Sequence, residues 1–418
     1  MNTRSKRTRT GTGSSAPSML AFGLQGLDDA PVVVDHYLRA AVDHEEEKVY
    51  VLLALENCSK IYCLDVRSKT WDSSLHDLTF EGSQRSLPPC YGETMLFFKD
   101  THSEKKYLII VGGYIGDHPG CDQHRFMHDS QRMTIICVDI NLAIWRCLRV
   151  LSADGAAPPP RYYHDVARIG DDFFIFGGRK TLPTGFFDPD TDSSSSQDSD
   201  TAWLCPQTDI FNSYAVLAYE PETGQWSWKI TEESYPDGFA TLGFLLSAIP
   251  IEHTTRMSVL LIPGKTGEDN LCHLDGTTFC LFDPSTGSFR TWDPRSHRSQ
   301  NALHRYTGPS YDTVTLADGR VILAILGDNY ADSCEFYHYH LPRRIEEFRG
   351  HAEEPDLVGK LEASVTEQRM IARTIHEGEP RIFVGCVQVN NKLYVFAKTK
   401  RHTLDTIVKV SLELDDQA

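Results

Sequence analysis

A chain of 418 residues has room for two or three ordinary domains or for one long repeat body, and its composition, 40% hydrophobic and 24% charged, is that of a folded protein. No apolar run approaches the roughly 18–20 residues of a membrane-spanning helix, and a formal charge of −17 opposes non-specific nucleic-acid binding while favouring partners that carry basic groups. Membranes and nucleic acids are therefore not expected as partners.

The first 27 residues carry no acidic side chain, and "RSKRTR" puts four basic residues into six positions. Three readings of this stretch stand: a solvated disordered tail over residues 1–17, a nuclear-import or anion-contacting patch, and a mitochondrial transit segment, which Gly11, Gly13 and Pro17 oppose. The eleven cysteines form no CxxC pair, and Cys63, Cys137, Cys280 and Cys386 sit inside apolar runs. With no secretory signal read in the sequence, they are expected to be free buried thiols in a reducing compartment, the cytoplasm with the nucleus as alternative.

From residue 31 onward one unit recurs. Apolar runs of five to eight residues read as buried strands, and two of them, in "KKYLIIVGG" and "DDFFIFGG", end on paired glycines, Gly112-Gly113 and Gly177-Gly178. Paired glycines permit backbone angles and close approaches that a Cβ forbids. Each run is followed by a second strand, a turn opened by an acidic residue, and a large aromatic: "IYCLDVRSKTW" to Trp71, "IICVDINLAIW" to Trp145, "YAVLAYEPETGQW" to Trp226 and "FCLFDPSTGSF" to Phe289. The acids Asp65, Asp139, Glu220 and Asp283 are expected to cap turn amides, and the rings to pack on a neighbouring sheet.

This unit resembles the kelch repeat, best in "PPRYYHDVARIGDDFFIFGG". The resemblance implies an all-β fold: a six-bladed kelch-type β-propeller of four-stranded antiparallel blades, one domain over residues 18–418. Blades are expected at 31–72, 90–149, 160–231, 238–293 and 305–349, with the sixth beginning at "RIFVGCVQVNNKLYVFA" and turning at Asn390-Asn391. The sixth runs out of chain after "DTIVKVSLEL", so "SMLAFGL", residues 18–24, is expected to supply its outer strand and close the ring. Between 350 and 380, "EEPDLVGKLEAS" reads as a short helix and "RMIARTI" as a strand of an irregular blade.

Two connections are long, 114–131 and 179–212, and insertions of this kind gather on one face of a repeat protein. In the first, His118, Cys121, His124 and His128 have spacings that suit zinc, against the plainer reading of a polar surface loop. In the second, "FDPDTDSSSSQDSD" is too polar to order itself, and Ser195 with Asp198 fits an acidophilic kinase pattern. The resemblance implies that Arg161 and His164 stand at the channel mouth, with Arg305 and Arg373 as counterparts and Tyr162 adding stacking surface. There they grip acidic peptide groups or, alternatively, hold their own loop by backbone hydrogen bonds. The implied function is a monomeric scaffold or adaptor for a protein or peptide, with no cofactor and no catalytic residue. The competing reading is a metal-dependent enzyme similar to the copper-radical oxidases built on this fold.

Overall fold

The computed structural model describes residues 18–23, 39–54, 58–72, 74–75, 77–81, 86–115, 132–180, 210–235, 247–252, 257–262, 279–292, 311–315, 321–326, 333–339, 356–362, 382–390, 392–398 and 404–411. Within them the chain is all-β, a propeller-like arrangement of antiparallel sheets in which consecutive strands pair as hairpins. The first sheet is Arg39–Asp43, Lys48–Ala54, Ser59–Asp65 and Thr70–Asp72. The second is Thr94–Lys99, Lys106–Val111, Ile135–Asp139 and Ile144–Leu148, with Thr79–Phe80 added parallel to its outer edge. The third is Asp165–Ile169, Asp172–Phe176, Ser213–Glu220 and Gln225–Ser234. The fourth runs from Ser247–Glu252 through Met257–Ile262 and Phe279–Asp283 to Ser288–Trp292.

Two later sheets follow the same order. Tyr311–Thr315, Val321–Leu326 and Ser333–Tyr339 are completed by Asp356–Glu362. The expected short helix in "EEPDLVGKLEAS" is thus a strand, the outermost of its sheet; pairing with Ser333–Tyr339 overrides a weak local helix preference, with a bulge between Phe336 and Tyr337 absorbing the misfit. The segment "RMIARTI" lies outside the described residues. The last sheet joins Ile382–Val389, Lys392–Lys398 and Leu404–Ser411 to the N-terminal strand Ser18–Gly23, which pairs antiparallel with Leu404–Ser411 from Ser18 opposite Ser411 to Gly23 opposite Thr406.

The spaced aromatics explain how neighbouring sheets adhere. Trp71 is buried with Val389, Tyr394 and Phe396, so the first sheet shares a core with the last. Trp145 packs among Tyr50, Leu52 and Ile61 of the first sheet. Trp226 lies against Phe98 of the second at 5.4 Å between ring centroids, and Phe289 meets Tyr214 and Tyr235 from the third. In each case a ring on an outer strand fills the wedge that opens as twisted sheets diverge. Burying one indole contributes at most on the order of 5 kcal/mol, by area.

The acidic turn residues divide by side-chain length. Asp65 Oδ1 accepts from the amides of Arg67 (2.8 Å) and Ser68 (2.9 Å), Asp139 from Asn141 and Leu142, and Asp283 from Ser285. Glu220, one methylene longer, instead accepts the Thr223 hydroxyl at 2.8 Å, while its main-chain carbonyl takes the Gly224 amide. The four cysteines expected inside are buried thiols; burial pushes the Cys63 thiol up to about 12 and the Cys137 thiol up to about 11. Among the described residues no helix is long and apolar enough to cross a membrane.

Candidate functional site

The segment Arg161–His164 enters the inner strand of the third sheet and packs into a cradle made by both glycine pairs. Gly113 donates its amide to Arg161 O (2.9 Å), and Tyr163 donates to Gly92 O (2.7 Å), tying the corner to the second sheet. Tyr162 and Arg179 exchange two main-chain hydrogen bonds (3.1 and 2.7 Å), tying it to the residue after Gly177-Gly178. A Cβ on Gly112 would lie 2.5 Å from His164 Cε1 and 2.9 Å from Arg161 O; one on Gly178 would lie 3.0 Å from both His164 Cβ and Tyr162 O. Gly112 makes room for the entry loop of the next sheet and Gly178 for that same loop within its own sheet, because the loop needs the missing side chains.

Arg161 is 0% exposed. Its Nη1 donates to Gly177 O (3.1 Å) and Ser213 O (2.7 Å), its Nη2 to Ser213 Oγ (2.9 Å), and the guanidinium lies 4.3 Å from the Phe211 ring centroid. Ser213 Oγ in turn donates to Glu232, so the brace crosses from entry loop to outer strand. Burial lowers the guanidinium to about 10, leaving it charged at neutral pH. Of the two roles expected for this arginine, the geometry is that of a loop holder: its three hydrogen bonds all go to its own sheet, its Nε is buried without a partner, and none of its surface faces solvent.

His164 is 1% exposed, and neither ring nitrogen has a partner in hydrogen-bond geometry, although the carbonyls of Arg161 and Val111 lie close. Burial, then the charges of Arg161 and Arg39, push its pKa down to about 3. An unfolded imidazole binds a proton near 6.5 and the folded one near 3. The unfolded state therefore holds more protons throughout that window, and stability falls as pH falls from 6.5 towards 3, by up to about 4–5 kcal/mol from this group. The neighbouring Asp165 carboxyl is pushed up by burial and works in the opposite direction, so a variant isolates the histidine. His164→Gln is expected to be less stable at pH 7.5 yet to show a visibly flatter loss of urea midpoint between pH 6.5 and 4.5; parallel profiles for both proteins would refute this assignment.

Several members of this corner were not legible as site residues. Arg39, at the start of the first sheet's inner strand, is half-buried and acts on both His164 and Asp165. Glu93 and Arg179, which follow Gly92 and Gly178 in the chain, are also buried. A signal existed: "PPCYGET" at 88–94 repeats "PPRYYHD" at 159–165, with Gly92 (φ 66°) in the place of Tyr163 (φ 56°). The equivalence holds in space, since Tyr91 pairs with Tyr114 as Tyr162 pairs with Arg179, each partner following a glycine pair. Of the adjacent tyrosines Tyr163 is buried and Tyr162 half-buried. Arg305, Arg373, His118, Cys121, His124 and His128 lie outside the described residues. Among the described ones, no three His, Cys, Asp or Glu side chains are grouped so as to hold a metal ion.

No family model matches the chain, and no curated protein matches it. The geometry of the corner therefore carries the functional reading.

Proposed function

We propose that the protein is an interaction scaffold: a six-bladed kelch-type propeller, closed by its own N-terminal strand, that presents a rigid loop face to a protein or peptide. The observation that carries this reading is the braced corner. Arg161, His164 and the glycine pairs fix the entry loop of the third sheet from within, so that the long insertions after Gly113 and Gly178 emerge from an immobile base. Arg305 and Arg373 act as the mouth's anchors for acidic groups, and the acidic run at 187–200 selects basic flanks. Arg161, His164 and Tyr162 contribute by positioning that face. Buried free thiols support a reducing compartment.

Closure is supported by the pairing of Ser18–Gly23 with Leu404–Ser411 and by the succession of inner strands, Ser247–Glu252 beside Tyr311–Thr315, that beside Ile382–Val389, and that beside Arg39–Asp43. Removing residues 1–24 is expected to lower the thermal midpoint and to drive association through the bared edge of Leu404–Ser411, read by size-exclusion chromatography. A monomer of unchanged midpoint would sink the closure. For the binding role, affinity purification with the full chain is compared with an Arg305→Glu/Arg373→Glu variant. Proteins retained by the wild type are expected to fall roughly tenfold, and an identical recovered set from both would end the reading.

A further inference from the structure

At the other end of the strands from Gly112-Gly113, where the second and third sheets splay apart, lies an open groove of about 280 Å³. We infer that this groove binds a peptide segment bearing a single carboxylate next to an aromatic residue or proline. Its apolar surface comes from Tyr107, Tyr219 and Trp226, with Trp226 packed in a tilted arrangement on Tyr219 at 4.9 Å between ring centroids and held from behind by Phe98 and Phe173. A fixed aromatic floor takes a flat or ring-shaped side chain with little ordering cost.

Charge selects the rest. Lys105 and Arg146 line the groove, and neither has a carboxylate partner among the described residues. Both cations are exposed, so they are solvated by water and open to an incoming anion. Within one hairpin the contrast is direct: Lys99 holds Glu45 and Glu104, and Lys106 holds Asp43 and Glu46, while Lys105 between them has no carboxylate partner among the described residues. Arg146 reaches the Cys137 thiol, a weak acceptor that burial keeps protonated. The acid inside the groove, Asp100, makes no ion pair with either cation: its oxygens accept from the Ser103 hydroxyl, the His102 amide and the Tyr219 hydroxyl, and its charge stays at the floor of the groove. Two exposed cations on one lip, neither in an ion pair among the described residues, suit a carboxylate on the occupant. Glu222 on the opposite lip, itself unpaired among the described residues, penalises a second negative charge, so a monoanion is favoured over a polyanion.

The occupant extends beyond one side chain. Leu142, 65% exposed and the single large apolar side chain so exposed among the described residues, stands at the same hairpin end of the second sheet, four positions before Arg146. A small molecule filling the groove leaves it bare; a peptide running over the lip covers it.

The site is on the opposite end of the sheets from the loop face and is tested independently of it. An array of capped octapeptides with a fixed central glutamate and randomised flanks is compared with the same array carrying glutamine. The expected result is binding to the glutamate set, enriched in flanking aromatics and proline, weakened roughly tenfold by Arg146→Glu and by Lys105→Glu. Arg149→Glu, the same charge change on an exposed arginine outside the groove, leaves binding unchanged. Equal binding to the two arrays, no binding to either, or groove variants that behave like Arg149→Glu would each overturn the inference, whatever becomes of the Arg305→Glu/Arg373→Glu experiment.

Discussion

Replacing Arg161 with alanine is expected to lower folding stability by about 3–5 kcal/mol, with the urea midpoint shifted and the slope unchanged. The substitution removes three hydrogen bonds from a charged donor to Gly177 O, Ser213 O and Ser213 Oγ, and strips the guanidinium from the face of Phe211. It also leaves a void where a fully buried side chain stood. Arg161→Lys is not expected to restore much, because one ammonium cannot span acceptors that a planar fork reaches in two directions. Ser213→Ala, which deletes one acceptor and leaves both carbonyls served, is expected to cost about 1 kcal/mol. The comparison separates the two roles an arginine can have at this place. An anchor for a partner, once removed, leaves stability within about 0.5 kcal/mol of wild type and weakens binding; a brace does the reverse. An Arg161→Ala protein as stable as wild type would mean that the buried network is not what holds the corner.

Gly112→Ala is the second large effect. Both the conformation and the space oppose a side chain there: φ is +61°, and the new methyl would stand 2.5 Å from His164 Cε1 and 2.9 Å from a main-chain oxygen, which cannot swing away. Left-handed backbone costs roughly 1–2 kcal/mol for an L-residue and overpacking about 1–3 more, giving a loss on the order of 2–5 kcal/mol. Gly155→Ala supplies the control. Its φ is +82°, and nothing lies within 4 Å of the added carbon, so only the backbone penalty applies. Thermal and urea unfolding of the two variants side by side should place Gly112→Ala lower by about 2 kcal/mol. Equal losses would show that the entry loop of the third sheet does not depend on the cradle.

Features set by neighbours in the chain were readable in the sequence. Asp65, Asp139 and Asp283 cap the turns they open because a short carboxylate two or three residues before an amide has few other places to go. Trp71, Trp145 and Trp226 were readable as wedges between sheets because a large ring in alternating strands must find apolar surface. Where local preference was weak, reading failed: Asp356–Glu362 is a strand because Ser333–Tyr339 offers it an edge, and nothing within "EEPDLVGKLEAS" announces that edge. Glu220 misled for a smaller reason, a single methylene that moves its carboxylate past the amides.

The sequence by itself determined the all-β character, the hairpin order, the buried thiols and the need for glycine at Gly112-Gly113 and Gly177-Gly178, all of which follow from period-two patterning and the limits of φ and ψ. Only the tertiary structure decided that Arg161 points inward to Ser213, that His164 lies against Gly112, and that Lys105 and Arg146 share a groove with neither in an ion pair among the described residues. Those are contacts between residues as many as 52 positions apart in the chain. Their partners are chosen by how the sheets pack face to face, and a side chain's type cannot say which neighbour the packing will bring.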